Sequence, residues 1–225
     1  MDEPLVRGVG VSRTFGSGRA SVPALREATF EVHPGDRVAV VGPSGSGKST
    51  LLHVIAALDR PTTGTIEWPA LGPAPSLRPG LVSFSFQGPS LIPPLTVLEN
   101  VALPLLLAGV AEEEALEQAT GAVEGLDLVA VAAKLPEELS GGQSQRASVA
   151  RALVGRPRIV LADEPTGQQD RRSGQRVIDE MLRRAEAVGA ALVVATHDRT
   201  VAERLPTRWT LEGGVLDTGV VARSR

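Results

Sequence analysis

The chain has 225 residues, 23 basic against 26 acidic side chains for a formal charge of −3, no cysteine, and 42% hydrophobic residues. A chain of this length buries a substantial core and reads as one domain. Its charge balance argues against a strongly basic nucleic-acid surface, so no nucleic acid is expected as a partner, and the lack of cysteine excludes disulfides and thiolate chemistry. The longest nearly apolar run, residues 101–111, is interrupted by Pro104 and is too short to span a bilayer. With no cationic start followed by an apolar signal core, the expectation is a cytoplasmic protein not itself embedded in a membrane.

In chain order, residues 5–11 and 28–33 have β-rich character with Gly-Ser punctuation between, which predicts a small antiparallel sheet. Phe15 stands alone there; by spacing it is either a core residue or a base-stacking platform. His33 before Pro34-Gly35 reads as a turn residue. Residues 38–42 form an apolar run read as a buried strand, and residues 50–58 as a helix. Between them stands Gly42-Pro43-Ser44-Gly45-Ser46-Gly47-Lys48-Ser49-Thr50, a GxxxxGK[ST] match in strand, loop, helix context. Gly42, Gly45 and Gly47 let successive amides turn inward around an anion, and the helix N-terminus adds partial positive charge. Lys48 would reach the β and γ phosphates, and the Ser49 hydroxyl a magnesium ion. Lysine occurs elsewhere only at Lys134, so the ammonium in the loop is conspicuous in an arginine-rich chain. Kinases, GTPases, helicases and transport ATPases all share such a loop.

Residues 61–80 are rich in proline and broken by glycine. Residues 81–86 then read as a strand ending at Gln87, where an α/β sheet places ligand contacts. Thr96-Val-Leu-Glu99 is a capping-box pattern opening a helix; residues 111–125 and 143–154 carry two further helical patterns. Residues 88–156 therefore read as a helical lobe between sheet strands, flanked by a core of residues 1–87 and 157–225. Ser140 is a good N-cap, and Gly141 and Gly142 leave amides open at a second helix N-terminus, a second anion site. The strand pattern returns at 158–162 and ends in Asp163-Glu164, adjacent carboxylates that point to opposite sides and can serve a magnesium ion and an attacking water. A helix over 172–188 and a strand over 191–195 follow, the latter ending in Thr196-His197-Asp198. A hairpin around Gly213-Gly214 closes the pattern.

Leu139-Ser-Gly-Gly-Gln143, following the loop and Gln87 and preceding Asp163-Glu164, Asp170 and His197, resembles the ATP-binding-cassette (ABC) family over nearly the whole chain. The resemblance implies an α/β P-loop NTPase: a RecA-like mixed and parallel sheet core, an N-terminal antiparallel β subdomain and an inserted α-helical subdomain. It implies ATP and Mg2+ as ligands and a head-to-tail dimer, of identical or related subunits, in which Ser140, Gly141, Gly142 and Gln143 of one copy close on the γ-phosphate held by residues 42–50 of the other. Phe15 falls at the adenine-stacking position. Gln87 would contact magnesium and the attacking water, Asp163 would hold magnesium through water, Glu164 would polarise the water, Asp170 would bridge to the other subunit and His197 would bind the γ-phosphate. The stretch from Phe86 through residues 91–109, with Leu161-Ala-Asp-Glu-Pro-Thr-Gly167, looks like the branch containing macrolide-export and lipoprotein-release ATPases. That branch implies a separate membrane permease as partner and a place on the inner face of the cell membrane; signalling through a membrane protein without transport, or a soluble ABC ATPase, are the alternatives. Gln168-Gln169 departs from the Asn-Leu often found before the aspartate.

Overall fold

The computed structural model describes residues 3–88, 90–167 and 169–219. Its strands alternate sides with a period of two, and the two sides bury different sets of residues. β3 (Arg37–Val41), β6 (Ile159–Asp163) and β7 (Ala191–Thr196) send Val38, Val40, Ile159, Leu161, Ala191, Val193 and Ala195 to one core. The intervening Ala39, Val160, Ala162, Leu192 and Val194 join another core on the opposite face. Burial on both faces explains why these segments read as continuous apolar runs.

The first face is covered by α1 (Lys48–Ile55) and by an antiparallel ribbon made of β1 (Val6–Phe15), β2 (Val22–Val32) and β4 (Thr63–Glu67). The second face packs against α5 (Arg171–Ala187) and the short α6 (Arg199–Ala202). The same core reaches α2 (Val97–Leu107), α3 (Glu112–Gly125) and α4 (Gly141–Leu153), which lie in sequence between β5 (Val82–Ser85) and β6. With β8 (Thr207–Glu212) and β9 (Val215–Asp217) the sheet order is β4-β1-β2-β9-β8-β3-β7-β6-β5. Neighbours among β8, β3, β7, β6 and β5 run parallel, with Val41 beside Thr196, Asp163 beside Ala195 and Ser85 beside Ala162. Those pairings align the C-terminal ends of four strands on one edge, where open α/β sheets bind ligands.

Helix boundaries follow local chemistry. Thr96 Oγ1 accepts from the Glu99 amide at 3.2 Å and Glu99 Oε2 accepts from the Thr96 amide at 2.7 Å, completing the capping box that opens α2. α3 buries Ala115, Ala119, Ala122 and Val123, a stripe at helical spacing. Gly213 and Gly214, at φ 54° and 83°, make the two-residue turn between β8 and β9 that requires positive φ at both positions.

Three features differ from the sequence expectation. α1 begins at Lys48 rather than residue 50, because Gly47 at φ 106° ends the loop as its N-cap, and it stops at Ile55, with Ala57 at φ 53°. β4 lies inside the proline-rich stretch; it is an edge strand in which only Ile66 is partly buried, so no apolar alternation marks it. β1 and β2 run longer than the segments read from sequence, because register shifts between Gly8 and Thr14 break the alternation that would have revealed them.

Candidate functional site

The loop at 42–50 leaves β3 at the aligned edge and is wedged between two backbones. A Cβ on Gly42 would lie 2.1 Å from the Leu211 carbonyl oxygen, and one on Gly47 would lie 2.1 Å from that of Ala24. Glycine is required at both places for close approach, and at Gly47 also for its φ. The Gly214 amide donates to Ser46 O at 3.2 Å, so the β8–β9 turn supports the loop from below. α1 starts immediately afterwards, and its first amides have no preceding helical carbonyl to bond.

Lys48 is 7% exposed, and its Nζ donates to Gly42 O at 2.9 Å and Pro43 O at 3.0 Å. Among the described residues no carboxylate lies within 4.0 Å of this ammonium. A buried cation held only by its own loop's carbonyls is incompletely compensated, which suits a site for an anion. Ser44, Gly45, Ser46, Ser49 and Thr50 complete the loop and first turn around it; Ser46 Oγ is buried without a hydrogen-bond partner among the described residues.

The neighbouring strand ends bring the acidic residues to the same edge. Asp163, the last residue of β6, is 4% exposed, and its carboxylate makes no hydrogen bond among the described residues. Glu164 follows at φ 47°, a left-handed backbone uncommon for a non-glycine residue, fixed by its amide donating to Ala195 O at 2.9 Å. Its carboxylate is 8% exposed and lies 2.8 Å from His197 Nδ1 through Oε1, and its Oε2 accepts from Thr196 Oγ1 at 3.3 Å. Thr196 Oγ1 also accepts from the Asp198 amide at 3.0 Å. Thr196 is thus a member of the constellation to which sequence reasoning gave no role, although a hydroxyl at the last buried position of a strand was a usable signal. The His197 ring is 70% exposed at the mouth of a cleft that continues past Gly42, Pro43 and Arg199. Gln87 leaves β5 at the same edge and is exposed.

No cluster of three or more His, Asp or Glu side chains among the described residues is arranged to hold a metal. Asp163 with its unengaged carboxylate and the Ser49 hydroxyl nevertheless fit Mg2+, which commonly takes one or two protein ligands and completes its shell with water and phosphate oxygens.

Phe15 is 42% exposed, so the core reading of this residue is wrong. It pairs with Val22 at the end of the ribbon, close in register to Ala24, whose carbonyl abuts Gly47. The Arg13 guanidinium stacks over the ring at 4.4 Å from its centroid and is held by Asp59 Oδ2, which accepts from Arg13 Nε at 2.8 Å. One face of Phe15 is therefore covered.

Ser140 to Gln143 are not gathered with these groups. Ser140 Oγ accepts from the Gln143 amide at 3.3 Å and Gln143 Oε1 accepts from the Ser140 amide at 2.9 Å, a capping box at the start of α4. Gly141 is exposed, and no hydrogen bond or ion pair among the described residues joins this turn to residues 42–50. Asp170 caps α5, its Oδ1 accepting from the amides of Arg172 and Ser173 at 3.0 Å each. The Ser173 hydroxyl, donating to Oδ2 at 2.6 Å, holds the Asp170 carboxyl below its ordinary pKa. Gln168 lies outside the described residues. Gln169 donates to Pro165 O at 3.2 Å, while its buried Oε1 has no partner among the described residues.

A glycine loop carrying an incompletely compensated buried lysine, set beside carboxylates at the ends of parallel strands, defines a P-loop nucleotide-binding protein. The chain belongs to the ABC transporter family, whose model matches residues 25–167. Over 223 residues it is 40% identical to the lipoprotein-releasing system ATP-binding protein LolD of Legionella pneumophila, covering 96% of this chain and 98% of that one. The macrolide export ATP-binding/permease protein MacB of Rhodopseudomonas palustris is 40% identical over 214 residues, which are 92% of this chain but 32% of MacB. Among solved structures, the ATP-binding cassette MJ0796, a dimer in a post-hydrolysis state bound to ADP and Pi, superposes with a TM-score of 0.87 at 34% identity, covering 96% of this chain and 99% of that one.

Proposed function

We propose that this chain is the ATP-hydrolysing subunit of an ABC transporter and that ATP closes a head-to-tail dimer, either of two copies or with a related ATPase subunit. Closure and reopening drive a separate integral-membrane permease, which holds the subunit on the cytoplasmic face of the membrane. Residues 88–156 act as a helical lobe carrying the surface that closes on the other subunit. The observation that carries this reading is the buried Lys48 ammonium, with no carboxylate within 4.0 Å among the described residues, on the edge shared by Asp163, Glu164 and His197. The dimeric MJ0796 cassette with ADP and Pi and the transport-system names of LolD and MacB support the rest.

In this reading Lys48, the loop amides and the α1 N-terminus bind the phosphates, and the free face of Phe15 stacks on adenine. Ser49, Gln87 and, through water, Asp163 would hold Mg2+, which when bound would supply positive charge to offset that of the phosphates. Glu164 orients and polarises the attacking water, Thr196 and His197 fix the Glu164 carboxylate, and His197 turns to the γ-phosphate. Ser140 to Gln143 of the second copy supply the remaining donors. Water adds to the γ-phosphorus as the bond to the β–γ bridging oxygen breaks, releasing ADP and phosphate; positioning and charge stabilisation do most of the work.

Glu164→Gln removes the base and keeps the shape. Hydrolysis should fall roughly a hundredfold or more while an ATP-bound dimer accumulates on sizing columns. Unchanged turnover would remove Glu164 from this role.

A further inference from the structure

The end of β1 that carries Phe15 is tied to the residues just after α1. The turn following α1 folds back on the helix, the amides of Leu58 and Asp59 donating to His53 O at 2.8 and 3.2 Å. From that turn Asp59 reaches β1: its Oδ2 accepts from Arg13 Nε at 2.8 Å, while its Oδ1 accepts from the Arg60 amide at 2.8 Å. Three residues on, the Thr62 amide donates to Ser12 O at 2.7 Å, and Thr62 Oγ1 accepts from the Thr14 amide at 3.0 Å. Ser12, Arg13 and Thr14 are thus all bonded to one strut, and the strut continues into the helix whose N-terminus faces the anion site.

Arg13 ends on the Phe15 ring, its guanidinium carbon 4.4 Å from the ring centroid. The Arg13 and Asp59 side chains are 26% and 22% exposed, so their ion pair is screened less than one at the open surface and keeps the guanidinium in place. Phe15 remains exposed on its other side. A leucine at position 13 would shield the ring from water at less cost in desolvation and side-chain entropy. What the guanidinium adds is a planar support and a charge. A cation against one face draws the ring's π density toward itself and leaves the opposite face poorer in electrons. Such a face stacks best on an electron-rich ring system, as in adenine or guanine, and less well on uracil or cytosine.

We infer that Arg13, anchored by Asp59, is a positioning and specificity residue for the nucleotide: it fixes and polarises the Phe15 ring so that the bare face prefers a purine base. The inference rests on the stacking role proposed for Phe15 above. Arg13 acts on the base only through the ring. Because the strut leads back to α1, the base platform and the phosphate loop keep a constant spacing, and a nucleoside triphosphate meets both at once. A polyphosphate without a base gains nothing from Arg13 or from Phe15.

Isothermal titration of the full chain in Mg2+ with ATP, UTP and inorganic tripolyphosphate separates these contributions. Arg13→Ala should raise the Kd for ATP about threefold to fivefold, raise that for UTP less, and leave that for tripolyphosphate unchanged. Asp59→Ala, which frees the guanidinium, should act in the same direction to a smaller degree. Arg13→Lys keeps the charge but not the planar fork and should recover part of the loss. In a Phe15→Ala background, Arg13→Ala should change none of the three constants. A tripolyphosphate Kd that rises together with that for ATP would make Arg13 a structural residue. An ATP Kd unchanged in Arg13→Ala, a UTP Kd raised as much as that for ATP, or a further loss in the absence of Phe15 would each overturn the inference. A Phe15→Ala chain that binds ATP as tightly as wild type would refute the stacking role itself, whereas a loss in Phe15→Ala with none in Arg13→Ala would leave that role standing and remove Arg13 alone.

Discussion

Replacing Lys48 by Met separates ligand binding from folding in a single variant. Lys48 is 7% exposed and, among the described residues, its ammonium bonds only to Gly42 O and Pro43 O, so methionine deletes a desolvated charge and two hydrogen bonds while nearly keeping the volume. The lost bonds and the relieved desolvation offset each other, so the melting temperature without nucleotide should move by no more than about 3 °C, the equivalent of about 1 kcal/mol in a chain of this size. Binding is a different matter. One hydrogen bond between an ammonium and phosphate contributes about 1.5–3 kcal/mol, and a loss of about 2.7 kcal/mol weakens ATP binding about a hundredfold. At an ATP concentration of about 100 times the wild-type Kd, wild type gains about 2.7 kcal/mol, a rise of about 5–11 °C. The variant at that concentration sits near its own Kd and gains about 0.4 kcal/mol, a rise of about 1 °C. Thermal melts with and without ATP read both quantities. A variant that melts far below wild type without ATP would mean that Lys48 is a structural residue, and a full ATP-induced rise would mean that the phosphates bind elsewhere.

Phe15→Ala should raise KM for ATP about tenfold with kcat unchanged, since stacking on a base contributes about 1–3 kcal/mol; Arg13→Ala should raise it less, and an unchanged KM in steady-state kinetics would remove Phe15 from the site. Glu180, 7% exposed, accepts from Arg183 Nε at 2.8 Å and Nη2 at 2.7 Å and from Arg184 Nε at 2.6 Å, and Arg184 Nη2 donates on to Gly121 O at 2.5 Å, tying α5 to α3. Burial alone would raise its pKa, but the bonds from Arg183 and Arg184 outweigh it and the net shift is downward. A carboxylate so lowered stabilises the fold above its unfolded pKa of about 4.3 and ceases to as pH falls through the lower folded value. Glu180→Gln should therefore cost about 2 kcal/mol at neutral pH, discounted for the exposed Arg183, and the gap from wild type should close below about pH 4; a gap independent of pH in denaturant titrations would contradict the ion-pair account.

Much of the site was legible because its chemistry is local. The loop carries its own glycines and lysine, capping boxes are short-range, and carboxylates at the ends of apolar runs fall on the ligand edge of any parallel sheet. The contacts that sequence did not reveal join segments distant in the chain. Asp59 on Arg13, Thr196 on Glu164, and Arg184 on Gly121 depend on strand register and helix rotation, which composition does not encode. β4 escaped notice for a different reason: an exposed edge strand needs backbone partners but no apolar face. The exposure of Phe15 was equally invisible, since it follows from the place of Phe15 at the end of a ribbon beyond the covered part of the sheet.

The most direct test of the central claim is the specific ATPase activity of the purified chain across a dilution series, with its mass followed by analytical ultracentrifugation. If Ser140 to Gln143 of a second copy complete the site at residues 42–50, activity per chain should fall as dimer is lost and become negligible where only monomer remains. Full activity per chain that stays constant into the monomer range would contradict the account.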